Sequence, residues 1–303
     1  MALPAHTVVN GPIELHVIEE GNPGGPTLIL VHGWPDTHAL WDRVVPHLAD
    51  EFRIIRFDNR GAGASTVPRN VDDYRLAHLA SDLFAVIDAM SPDAPVHLLG
   101  HDWGAVLCWE AVCEPDAAAR IASYTSVSGP NLDHLGMWMR RRLREFHPRG
   151  PLEQALASAY TVLFQIPGLP VPALRWWFAR HWPGFVGAFD RTDPSVIGPL
   201  SPTVADDMVH GLKLYRANIR RHLFRPRERR TDVPVQLVQN LRDLAVRPVG
   251  YEDTDRWVTD LHRVPLDAGH WSPRSHADEV AALTARFVQA TEVGTATRSR
   301  HGG

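Results

Sequence analysis

The chain has 303 residues, of which 44% are hydrophobic and 22% charged, and a formal net charge of −4. That length and apolar content build one sizeable core with room for an inserted subdomain. The near-neutral balance excludes nucleic acid as a polyelectrolyte partner, and no apolar run reaches the ~18 residues of a membrane span.

The N-terminal stretch "MALPAHTVVNGPIELHV" has no apolar core of signal-peptide length. "TVV", "IELHVIEEG", "PTLILVHG" and "RIIRFDNRG" read as four strands within the first 61 residues, the third as a strand buried on both faces. Between the last two, "THALWDRVVPHLADE" places Leu40, Val44, Val45 and Leu48 at helical spacing. "RLAHLASDLFAVIDAM" predicts a second helix, "PVHLLGHD" a strand, "WGAVLCWEAVCE" a helix and "IASYTSVSG" a strand. Cys108 and Cys113 lie on one of these helices, a poor geometry for a disulfide, so free buried thiols in a reducing cytoplasm are expected.

The alternation stops from about 131 to 230, where no strand is evident and Trp, Arg and Pro abound. It resumes with the strand "VPVQLVQN", the helix "YEDTDRWVTDL", the strand "HRVPLDAG" and the helix "DEVAALTARFVQA". Strand–helix alternation predicts a parallel α/β sheet with helices on both faces. The domain reading is a core over 1–130 and 231–290, a helical insertion over 131–230 and a disordered polar tail over 291–303. All basic residues but Lys213 are arginine, a compositional bias. In "RWWFARHW", tryptophans packing over a lid with arginines facing water are preferred to contact with a membrane surface.

"LLGHDWGAV", residues 98 to 106, has the outline of a nucleophile elbow with Asp102 at its centre. Glycines 100 and 104 relieve the tight turn, and the following helix start favours an anion. A simple helix-capping aspartate is the competing reading. "VHGWP" follows a central strand, so the Trp34 N–H with that of Trp103 would form an oxyanion hole. Asp243 in "LVQNLRDLAV" and His270 in "LDAGHWSP" follow late strands, in the chain order nucleophile, acid, histidine. Taken singly, Asp243 reads as a loop carboxylate and His270 as a satisfied buried histidine. Together, at strand ends where ligands bind in open sheets, they read as a triad.

"HGWP", "DNRGAGAS", "GHDWGA" and "GHWSP" resemble the epoxide hydrolase branch of the α/β-hydrolase fold over roughly residues 8 to 290. The resemblance implies a mostly parallel sheet flanked by helices, with the insertion as a helical cap. It also implies two cap tyrosines that hold the epoxide oxygen. Tyr160 in "YTVLFQIPG" and Tyr215 in "LKLYRAN" match their motifs; packing of the cap is the alternative for each. Trp34, Pro35, Trp103 and Trp271 would contact substrate. "EAVCEPDAAARIASYTSVSGPNLDHLG" and "RPVGYEDTDRWV" look like the hydrolase domain of actinobacterial epoxide hydrolases. Some of those continue into a short-chain dehydrogenase domain, and this chain stops before any Gly-rich dinucleotide motif.

The chemistry suits these residue types. An aspartate with an ordinary pKa near 3.9 is ionised at neutral pH and attacks a saturated carbon without a base. Two phenols with pKa near 10 stay protonated and donate to the departing alkoxide. Water activated by His270, oriented by Asp243, then hydrolyses the ester. That route needs no metal or organic cofactor. The expected partner is a small apolar epoxide, and the expected state a monomer or homodimer in the cytoplasm. A haloalkane dehalogenase would use the same Asp-His-Asp set. Trp34 stands where haloalkane dehalogenases have Asn, and Trp103 where fluoroacetate dehalogenases have Arg; both departures count against halide chemistry. A non-catalytic ligand-binding member is the third reading, weakened because every triad position is filled.

Overall fold

A computed structural model describes the backbone over residues 5–198 and 200–301, and side chains to residue 293. Eight strands form one sheet in the order β1-β2-β4-β3-β5-β6-β7-β8. They are β1 (Ala5–Asn10), β2 (Ile13–Gly21), β3 (Thr27–Val31), β4 (Arg53–Phe57), β5 (Val96–His101), β6 (Ile121–Val127), β7 (Val235–Asn240) and β8 (Leu261–Leu266). β1 and β2 pair antiparallel, as do β2 and β4; every other pairing is parallel. β3 and β5 are neighbours although β4 intervenes in sequence, so the strand order reverses between them. That switch point opens a crevice at their carboxyl ends.

The central strands read as continuous apolar runs because helices cover both sheet faces. Leu28, Ile29, Leu30 and Val31 of β3 are fully buried, and every residue of β5 is buried. α1 (Leu76–Met90) turns Leu79, Leu83, Val86 and Ile87 inward at 3.6-residue spacing. α2 (Trp103–Val112) is buried on all sides, which is why it lacks a polar face.

Between β6 and β7 the described chain has helices and loops but no strand: α3 (Leu132–Arg144), α4 (Arg149–Ala157), α5 (Tyr160–Phe164), α6 (Ala179–Asp190), α7 (Val204–His210) and α8 (Leu212–Phe224). No described helix is long and apolar enough to cross a membrane. Cys108 and Cys113 are free and buried.

Four expectations are corrected. The helix expected around residues 37–51 is two short 3₁₀ turns, His38–Arg43 and Val45–His47. Leu40, Val44, Val45 and Leu48 are buried as their spacing implies, but Pro46 lacks the N–H a continuous α-helix needs. The helix expected over 251–261 is likewise two turns, Pro248–Tyr251 and Thr254–Arg256. There Asp253 is drawn away by Arg141, whose Nε and Nη2 donate to it at 2.7 and 2.9 Å. The last helices are α9 (Ser272–Ser275) and α10 (Ala277–His301). The stretch from 291, expected as a disordered polar tail, continues the backbone of α10 to His301; residues 302 and 303 lie outside the described chain. Finally, Trp182 packs inward but Trp176 and Trp177 are 76% and 54% exposed. Leu174 and Phe178, four apart, take the inward positions of that turn, so the pair between them faces outward.

Candidate active site

Asp102 occupies the one-residue turn between β5 and α2 with φ 51° and ψ −124°. A non-glycine residue in that region is strained and held by its surroundings. Gly104 makes the turn feasible: a Cβ there would collide with the carbonyl oxygens of Val31 and His32 at the end of β3. The close approach brings the turn after β3 alongside Asp102. The Trp34 N–H donates to Asp102 Oδ1 at 2.7 Å. Asp102 holds the N-cap position of α2, but its side chain accepts no N–H from the first turn, so the carboxylate is not spent on capping the helix.

His270 lies on the turn after β8. Its Nδ1 is 2.9 Å from Asp243 Oδ2 and its Nε2 is 3.5 Å from Asp102 Oδ2. Asp243 is 1% exposed, and its Oδ1 accepts the N–H groups of Ala245 and Val246 at 2.8 and 2.9 Å. Burial opposes ionisation of Asp243, but the His270 ring and these donors outweigh it and hold its pKa below the usual carboxylate value. Burial likewise opposes charge on His270, yet the Asp243 and Asp102 carboxylates raise its pKa well above the usual imidazole value. His101 braces the turn from below, with Nε2 at 2.8 Å from the His270 carbonyl. Burial and the nearby His270 lower its pKa to about 4, so the neutral ring donates.

Sequence reasoning missed a further carboxylate that holds this turn. Asp190, the last residue of α6, accepts the His270 N–H at 2.8 Å and the Trp271 N–H at 2.5 Å, one on each oxygen. Burial raises its pKa. Gly269 is required beneath it, since a Cβ there would collide with the Asp190 carboxyl group. In "AFDRTDP" nothing but an aspartate at a helix end could have marked it.

A cavity of about 350 Å³ opens above Asp102 and His270. Its wall includes Trp34, Phe164, Phe178, Trp182, Phe189 and Trp271, together with both cap-motif tyrosines. The Tyr160 and Tyr215 rings meet edge-on at 6.1 Å, and the Tyr215 ring lies edge-on to Trp103 at 4.9 Å and to Trp34 at 5.6 Å. Burial, helped by the Asp102 charge, raises the pKa of both phenols. Tyr160 is 39% exposed as a residue, but its hydroxyl end is turned into the cavity. Both phenols therefore remain protonated at neutral pH.

Residues 26–276 match the α/β hydrolase fold family. The chain belongs to this family. It is 43% identical over 291 residues to "Probable oxidoreductase EphD" of Mycobacterium tuberculosis, covering 91% of this chain and 48% of that protein. It is 25% identical over 323 residues to mouse "Bifunctional epoxide hydrolase 2", covering 95% of this chain and 55% of that protein. The chain thus spans about half the length of these relatives. The crystal structure of epoxide hydrolase A from Mycobacterium thermoresistibile superposes with a TM-score of 0.74 at 24% identity, over 95% of this chain and 98% of that one; this likeness shows the fold.

Within this α/β hydrolase, the Trp34 N–H is one of the two backbone donors expected to face Asp102, and it donates to that carboxylate. Of the residues expected to contact substrate, Trp34 and Trp271 line the cavity, while Pro35 and Trp103 line a neighbouring void of about 20 Å³ that Trp34 also borders. Trp103 is screened by the Tyr215 ring stacked edge-on against it. Elsewhere, His16, His38 and Asp58 bring possible metal ligands together. Both Asp58 oxygens are already engaged, by the His38 N–H and ring and by the Ala64 N–H, so that cluster is satisfied by the protein itself.

Proposed function

We propose that this chain hydrolyses an apolar epoxide to a vicinal diol through an ester on Asp102. The observation that carries the proposal is the meeting of a strained carboxylate, a histidine–aspartate pair and two buried phenols in one apolar cavity. The epoxide-hydrolase names of relatives support it. Residues 131–230 would act as the cap over a core of 1–130 and 231–290.

Asp102 Oδ1 is tied to Trp34, which leaves Oδ2 to attack an epoxide carbon. The carbon–oxygen bond breaks, and the ring oxygen takes a proton from Tyr160 or Tyr215. Ester formation removes the Asp102 charge, so one of the two groups raising the His270 pKa disappears. His270 then passes its proton to the tyrosinate, which restores the phenol, and the neutral ring can act as a base. It takes a proton from water as the water oxygen attacks the ester carbonyl. The negative charge grows on Oδ1, against the Trp34 N–H. Collapse expels the second diol oxygen, which takes the proton back from His270. The carboxylic acid of Asp102 loses its proton, and that proton restores the His270 imidazolium. Epoxide and water are consumed, the diol is released, and the enzyme returns to its starting state.

Halide chemistry is less well served. The Trp34 indole N–H already donates to the Met208 carbonyl at 3.1 Å and is not free for a leaving halide. The apolar wall favours bulky, lipid-like epoxides over small polar ones. A mixed panel of epoxides and haloalkanes, scored together for diol and halide, tests the proposal. Diol from bulky epoxides is expected; halide release as the faster reaction would reverse the assignment.

A further inference from the structure

We propose that the insertion docks its cavity mouth onto an anionic lipid surface. A run of exposed apolar side chains marks the face. Leu152 and Leu156, four apart on α4, are 58% and 68% exposed. Val162 is 69%, Leu169 58%, Trp176 76% and Trp177 54% exposed. All six lie within residues 152–177, and so many exposed apolar side chains in one stretch suit an interaction site.

Part of this stretch adjoins the cavity. Tyr160 and Leu163 line the cavity yet are 39% and 45% exposed, so they form its rim. Trp177 packs at 4.9 Å against Phe178, another cavity-wall residue. An apolar ligand leaving a bilayer beneath this face would meet the cavity without crossing water.

Charge selects the occupant. Residues 131–230 contain sixteen Lys and Arg against eight Asp and Glu, whereas the whole chain has 31 against 35. The insertion is therefore cationic on an anionic core. Within residues 146–181 Glu153 is the one carboxylate, and it is paired with Arg247. Arg149 and Arg180 of the same segment are exposed, ready to meet lipid phosphates. Tryptophans beside arginines suit the headgroup boundary, and anionic lipid attracts such a segment. A second copy is disfavoured as the cover, because two like-charged faces repel.

The test is co-sedimentation of the whole chain with vesicles of equal parts phosphatidylcholine and phosphatidylglycerol, beside vesicles of phosphatidylcholine alone. Binding is read without turnover, so it stands or falls separately from the epoxide chemistry. Preferential binding to the anionic vesicles is expected, weakening as salt rises from about 0.05 to about 0.5 M. Trp176→Ala with Trp177→Ala, and separately Arg149→Glu with Arg180→Glu, should each weaken binding about tenfold or more. Thermal melting should be unchanged for Arg149→Glu with Arg180→Glu, since both side chains are exposed, and should fall only slightly for the tryptophan pair, since Trp177 packs against Phe178. Equal or absent binding to the two vesicle types overturns the proposal, as does full binding by both double variants. A dimer in sedimentation velocity that the tryptophan variant dissolves also overturns it, and assigns the face to a second copy.

Discussion

The backbone N–H of His270 donates to Asp190 Oδ1 at 2.8 Å, so the insertion holds the turn that carries the proposed base. The other Asp190 oxygen holds Trp271, a cavity-wall residue. α6, which ends at Asp190, also supplies Trp182, Phe185 and Phe189 to the cavity wall. One helix thereby holds the backbone of the histidine turn and supplies part of the cavity wall.

Asp190→Ala should slow ester hydrolysis about tenfold while leaving the rate of Asp102 alkylation within about twofold. Two buried N–H groups would lose their partner, at a cost of roughly 1–3 kcal/mol in stability. Rapid-quench kinetics separates the two half-reactions. An equal loss in both would mean that the residue supports the fold generally rather than the base.

Tyr215→Phe should slow ring opening by about 10²-fold and leave hydrolysis of a preformed ester unchanged. Tyr160 remains as a second donor, so activity should fall without vanishing. Single-turnover alkylation at the wild-type rate would remove Tyr215 from the acid role.

Asp243→Asn takes away the buried carboxylate that most strongly raises the His270 pKa. Ester hydrolysis should fall by roughly 10²–10⁴-fold, as in other triads lacking this partner. The acid limb of its pH profile should move to lower pH, because the neutral ring persists further down. A limb that stays in place would show that another group controls it.

Asp207 offers a stability prediction. Burial raises its pKa from 3.8 to about 6. The folded chain therefore binds this proton more tightly than the unfolded chain, and the group's contribution is full below pH 3.8 and lost as pH rises through 6. Asp207→Asn keeps an acceptor for the Gly63 N–H and removes the buried charge. It should stabilise the protein by roughly 1–2 kcal/mol at pH 8 and by little at pH 4. Chemical denaturation at the two pH values checks this, and an equal change at both would contradict it.

Local sequence carried the strand alternation and the elbow, because a buried strand and a one-residue turn each leave a contiguous mark. His270 and Asp243, 27 positions apart, were legible through their shared position after late strands. Tyr160 and Tyr215 were legible only through a family pattern, since nothing in helical spacing separates a cavity phenol from a packed one. Asp190 was not legible: its partners are backbone groups 80 and 81 residues away. The helix expected near Trp41 failed for a local reason, Pro46, which outweighed a correct apolar spacing. The outward tryptophans failed for another, as the spacing of Leu174 and Phe178 decided which side of the turn faced in.

The account rests on the ester at Asp102, and intact-protein mass spectrometry of His270→Gln after exposure to a bulky epoxide reads it directly. A mass gain equal to one epoxide is expected, mapped by proteolysis to the peptide carrying Asp102 and absent in Asp102→Ala. An unmodified His270→Gln chain, from an enzyme whose wild type forms the diol, would contradict it.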